Sequence, residues 1–99
     1  MNYRVEYRKE AQLDILEAIE WYEKRRKGLG DEFFIAIENE KHFIETNPYY
    51  YEDKYKGIRK AITKRFPYII YFRIESSSTV LVYAVLHMKK SPMKWKRRV

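Results

Sequence analysis

Cleaving an RNA chain needs no metal when the neighbouring 2′-hydroxyl attacks the phosphate. A protein that supports this step must accept one proton, donate another and hold the charge that builds on the phosphorane. The residue types for it lie in the second half of this sequence: Arg59, Arg65, Arg73 and His87, with Lys89 and Lys90 directly after. His87 is the natural proton carrier near neutral pH, and a guanidinium is the natural phosphate holder. Each also has an ordinary structural use. His87 can close a strand by bonding to backbone, Arg73 can pair with an acid, and Arg59 and Lys60 can sit on a solvated strand. Other chemistry is poorly provided for. The only histidines, His42 and His87, fall in different elements, cysteine is absent, and three glycines make no phosphate loop. No metal and no cofactor are expected.

The charge distribution extends the set of candidate contacts. Residues 1–53 hold eight Lys/Arg and thirteen Asp/Glu, a net of −5, whereas residues 54–99 hold thirteen Lys/Arg against the single acid Glu75, a net of +12. A half this basic suits an anionic partner, either nucleic acid or an acidic protein segment. Six of the last twelve residues are Lys/Arg, so 88–99 reads as a basic tail or short helix carrying Trp95. Lys60, Arg65, Lys90, Lys94, Trp95 and Arg97 are the candidate contacts to nucleic acid or another target. Tyr49-Tyr50-Tyr51 can stack bases, anchor a partner, or pack over the edge of the fold.

Ninety-nine residues and 12.3 kDa make one domain, 1–99, with no room for a second core. The longest apolar run, Val80 to Leu86, falls far short of the roughly 20 residues of a membrane helix. The start lacks an apolar signal region, so a cytoplasmic protein without a membrane partner is expected. Alternation predicts a strand over 2–7. A helix follows, with Ala11, Ile15, Leu16, Ile19 and Tyr22 facing the core and Glu10, Asp14, Glu17 and Lys24 opposite. Lys24-Arg25-Arg26-Lys27 and Gly28 end it. A second helix starts at Asp31 as N-cap, buries Phe33, Ala36, Ile37, Phe43 and Ile44, and stops at Asn47-Pro48. Residues 49–57 read as a loop. Strands follow over 58–63, 67–74 and 79–87, the last two apolar on both faces and therefore central. The order β-α-α-β-β-β is an α+β fold: a helical hairpin on one face of a mostly antiparallel four-stranded sheet.

Several stretches together resemble the RelE/ParE superfamily of toxins from bacterial type II toxin–antitoxin modules. They are Glu10-Ala11-Gln12-Leu13-Asp14-Ile15 with Ile19-Glu20-Trp21-Tyr22; Phe43-Ile44-Glu45-Thr46-Asn47-Pro48; Gly57-Ile58-Arg59-Lys60; Arg65-Phe66-Pro67-Tyr68-Ile69-Ile70-Tyr71-Phe72-Arg73; and Val82-Tyr83-Ala84-Val85-Leu86-His87-Met88-Lys89-Lys90 running on to Trp95. The resemblance implies a toxin held by a cognate antitoxin in a hetero-oligomer. Its target would be either mRNA on the ribosome or DNA gyrase. If the chain is a nuclease, His87, Arg73, Arg59 and Lys89 are the catalytic candidates, and relatives that use a His near this point match His87. The nuclease branch usually places an Arg where Tyr68 stands, and an Arg and a Tyr where Lys89 and Trp95 stand. The departures, with the Phe-Pro-Tyr start and the His-x-Lys-Lys ending, favour the gyrase-directed branch. The competing reading is a catalytically inert domain of this fold that only binds a partner protein or nucleic acid.

Overall fold

The computed structural model describes residues 2–99. Two helices, α1 (Lys9–Arg25) and α2 (Leu29–Thr46), follow a short first strand, β1 (Arg4–Tyr7). After a single 3-10 turn at Pro48–Tyr50 come β2 (Asp53–Tyr55), β3 (Ile58–Ile62), β4 (Tyr68–Ile74), β5 (Thr79–His87) and a short helix, α3 (Pro92–Lys96). The sheet order is β1-β5-β4-β3-β2, with β1 parallel to β5 and every other pair antiparallel. The α+β hairpin-on-sheet architecture stands as expected, and the apolar runs of β4 and β5 do occupy the centre. The sheet has five strands, however, not four.

The extra strand, β2, lies inside the stretch read as a loop. Tyr55 pairs with Ile58, leaving Lys56 and Gly57 as a two-residue turn, both at positive φ (49° and 82°). That turn matches the right-handed twist of a hairpin, and Gly supplies one of its two left-handed positions at little cost.

The helical hairpin closes at Gly28 (φ 88°) and Gly30. A Cβ on Gly30 would lie 2.8 Å from the Ile19 carbonyl oxygen, so the helices approach closely only because that side chain is missing. The start of α2 also corrects the expected cap. The helix begins at Leu29, and its free N–H groups are met by Glu23 of α1, whose carboxylate accepts from Gly28 N–H (2.9 Å) and Gly30 N–H (3.0 Å). Asp31 instead sits in the first turn, where its charge suits the helix dipole.

Each face of the sheet carries its own core. Beneath the helices, Phe33, Ile37 and Ile44 pack on Ile70, Phe72, Val80, Val82 and Val85. On the opposite face Ile58, Ile69, Tyr71, Tyr83, Ala84 and Leu86 enclose Trp95. A bulge in β5, where Tyr71 pairs with Ala84 but Phe72 pairs with Val82, places Tyr83 and Ala84 in the same core. The stripe of α1 differs from expectation in two places. Leu16 is 61% exposed, with Ala18 taking its place in the core, and Asp14 is buried.

Candidate functional site

His87 ends β5 on the helix side of the sheet. It pairs across the ladder with Tyr68, their rings 5.4 Å apart. Tyr68 in turn meets Phe33 and Tyr22, so both residues belong to the helix face. His87 Nδ1 accepts the Lys89 N–H at 3.0 Å. In the neutral ring, that bond leaves the proton on Nε2. A cavity of about 380 Å³ opens beside it, lined by Glu17, Trp21, Tyr22, Tyr68, Lys90 and Lys94. Burial, with the nearby Tyr22 and the Asp14 and Glu17 carboxylates, raises the Tyr68 phenol above its ordinary range and keeps it protonated.

Arg73 lies near the other end of β4 and on the opposite face. Five residue steps separate it from Tyr68, about 17 Å along a strand. Three of its five N–H groups are bonded within the chain, and the side chain is 35% exposed. Nε donates to Glu75 (2.7 Å), Nη1 to the Lys56 carbonyl (3.4 Å) and Nη2 to the Tyr83 hydroxyl, with the charge 5.0 Å from the Tyr83 ring centroid. The Glu75 hydrogen bond raises its pKa further. Arg73 therefore clips the β2–β3 turn to β4 and β5. The expected pairing of His87 with Arg73 in one phosphate-cleaving site is corrected by this geometry: the sheet stands between them.

The remaining candidates divide in the same way. Arg59 donates to the Tyr51 carbonyl and lies 5.0 Å from the Tyr49 ring, holding the aromatic segment down. Arg65 pairs with Glu32 at 2.5 Å, and that hydrogen bond lowers the Glu32 pKa. Lys60 reaches over the Trp95 ring (5.4 Å) on the face opposite the helices. Trp95 itself is only 3% exposed, stacked on Tyr71 at 4.8 Å, and so is a packing residue rather than an open contact. Lys89, Lys90, Lys94 and Arg97 are exposed. Of these, Lys90 and Lys94 line the cavity beside His87 together with the half-exposed Trp21, which sequence reasoning did not single out. Among the described residues no cluster of His, Cys, Asp or Glu is built to hold a metal.

The residue most clearly missed is Asp14. Its carboxylate takes both terminal nitrogens of Arg98 (2.6 and 3.1 Å) and the Val85 N–H (3.0 Å), while Arg98 also donates to the Tyr83 carbonyl (3.1 Å). The reason is topological. Pairing of β1 with β5 ends at Tyr7 and Val82, so the backbone of β5 beyond that point has lost its strand neighbour. The ion pair satisfies it instead, and Arg8 completes the clasp by donating to the Arg98 carbonyl (3.0 Å). The basic tail is therefore strapped to the body of the fold.

Comparison with known proteins agrees with this architecture. The family described as "ParE toxin of type II toxin-antitoxin system, parDE" matches residues 5–92. No curated protein matches the chain by sequence. Among solved structures, a chain of the chromosomal ParDE toxin–antitoxin system from P. aeruginosa is similar at 11% identity with a TM-score of 0.66, covering 86% of this chain and 95% of that one. A chain of the toxin–antitoxin complex RelBE2 from Mycobacterium tuberculosis is similar at 16% identity and a TM-score of 0.63, covering 88% and 99%. At these identities the likeness is one of fold.

Proposed function

The chain belongs to the ParE toxin family of type II toxin–antitoxin systems, and on that premise we propose that it arrests growth by binding DNA gyrase rather than by cutting RNA. The observation that carries this reading is the separation of His87 from Arg73 by the sheet, with Arg73 bonded to Glu75 and Tyr83 on the far face. A metal-free ribonuclease needs its proton carriers and its phosphate holder around one reacting phosphate. Binding makes no such demand. It needs an accessible surface; Lys90 and Lys94 beside Trp21 supply one, and Lys89 and Arg97 are exposed cations of the same tail. A cognate antitoxin covers the toxin in a hetero-oligomer, and the target is met in the cytoplasm.

Induced expression of His87→Ala and of Lys89→Glu/Lys90→Glu/Lys94→Glu tests the reading once thermal melts show that both fold. Full growth arrest by His87→Ala with loss of arrest in the charge-reversed variant is expected. Loss of arrest in folded His87→Ala, together with loss of transcript cleavage, would establish the nuclease instead.

A further inference from the structure

The face of the sheet turned away from the helices is paved with aromatic rings. Tyr55 of β2 meets Trp95 at 5.7 Å between centroids, and Trp95 stacks on Tyr71 of β4 at 4.8 Å. Three lysines stand over this layer. The Lys56 ammonium is 5.4 Å from the Tyr55 ring, and that of Lys96 is 4.8 Å from Tyr55 and 5.8 Å from Trp95. Lys60 completes the set, 5.4 Å from Trp95 and 5.8 Å from Tyr71. The negative faces of the rings attract the ammoniums and keep them gathered above the layer. Beside them, Arg8 and Arg73 each lie 5.0 Å from the ring of Tyr83, which belongs to the same core.

Among the described residues no carboxylate pairs with these three lysines. The acids of the adjoining segments are committed: Glu52 to Lys54, Asp53 to the Gly57 N–H, Glu75 to Arg73 and Glu10 to Arg8. Gathering like charges without a counter-charge costs free energy that a bound polyanion offsets. We propose that this face binds duplex DNA through its phosphates, without reading sequence. Tyr55 and Tyr71 stand on strands two spacings apart, about 10 Å. One strand of a duplex carries about three phosphates over that length. Ammoniums grip phosphates as point charges, and these three side chains offer no fork or amide to read a base edge. Single-stranded RNA fits less well. Its bases need open rings to stack on, and Trp95 and Tyr71 are only 3% and 4% exposed. The face lies across the sheet from Lys90, Lys94 and Trp21, so the proposal does not rest on how growth is arrested.

The test follows the fluorescence anisotropy of a labelled duplex of about 20 base pairs, titrated with the full chain between about 50 and 200 mM salt. Binding is expected at the lower salt, equally for two unrelated sequences. Each phosphate neutralised adds about −0.9 to the slope of log affinity against log salt. Lys56→Gln/Lys60→Gln/Lys96→Gln should therefore flatten that slope by about 2.7 and weaken binding at least tenfold. Lys9→Gln/Lys24→Gln/Lys27→Gln removes the same charge from exposed positions on and just after α1, and is expected to cost less than threefold. In the unaltered chain, NMR titration with the duplex should shift the amides of Tyr55, Lys56, Lys60 and Lys96 most, a readout that needs no variant to fold. Equal losses in the two triple variants would reduce the binding to net charge and overturn the proposal. So would absence of binding at the lower salt, amide shifts confined to the helix side, or tighter binding of a single-stranded RNA or a polyglutamate peptide than of the duplex.

Discussion

Replacing Arg98 by Met should be among the most damaging single changes in this protein, although Arg98 is the penultimate residue of a basic tail. The substitution keeps an apolar stem of similar length and removes the guanidinium that Asp14 binds through two nitrogens. The Asp14 side chain is 5% exposed, so its charge cannot be handed to water. Truncating one partner of a buried, hydrogen-bonded pair costs about 3–5 kcal/mol. The Val85 N–H remains on the carboxylate, and the Arg98 side chain is 15% exposed, which argues for the lower end, about 3 kcal/mol. For a domain of this size that is a fall of roughly 12–24 °C in Tm, or a urea midpoint lowered by about 1–3 M. Urea titration followed by tryptophan fluorescence reads it directly, because Trp95 moves from a stacked site to water on unfolding. The double variant Asp14→Leu/Arg98→Met should recover part of the loss. An apolar pair of similar volume is often near neutral, though the Val85 N–H is then left without an acceptor, at about 1–3 kcal/mol. A loss below about 0.5 kcal/mol in Arg98→Met, the level of an exposed pair, would refute the reasoning.

Removal of everything after Ser91 should unfold the protein rather than merely detoxify it, since Trp95 is 3% exposed and losing a buried Trp costs about 3–5 kcal/mol; a cooperative melt of the truncated chain at the full-length temperature would contradict this. Gly30→Ala should lower Tm by about 5 °C, because a Cβ 2.8 Å from the Ile19 carbonyl forces the helices apart by more than the gain in helix propensity returns; an unchanged or raised Tm would refute it. Tyr7, Tyr22, Tyr51, Tyr68 and Tyr71 all have raised pKa values, mainly through burial. Above the ordinary phenol pKa of about 10, the folded chain then holds more protons than the unfolded one, so stability falls as pH rises past that point. Phenolate absorbance should show these five ionising together with loss of the fold, and their ionisation in a chain still folded would count against the burial account.

How much of this was legible beforehand depends on how local each cause is. The central strands and the helical hairpin were readable because their apolar runs and Gly28 act within their own segments. β2 was not, since three residues are too short to show a period; its signal was the Lys56-Gly57 turn. The opposition of Tyr68 and Arg73 follows from the two-residue period of β4 once the strand is known. The side taken by His87 does not, because the Tyr83 bulge resets the alternation of β5. Asp14 read as a solvent residue because it lies among acids on α1, and its partner stands 84 residues away. Trp95 looked like an exposed contact in a basic run; its binding place is made by Tyr71 and Tyr55 on two separate strands.

Whether the proposed holding of a target, rather than RNA cleavage, underlies growth arrest is decided by one comparison. The most direct measurement adds the purified chain to two reactions in parallel, supercoiling of relaxed plasmid by DNA gyrase and translation of a defined mRNA on ribosomes. Loss of supercoiling with the transcript intact is expected, and the same result with His87→Ala. Transcript cleavage that disappears in folded His87→Ala, with supercoiling unaffected by either protein, would contradict the proposal.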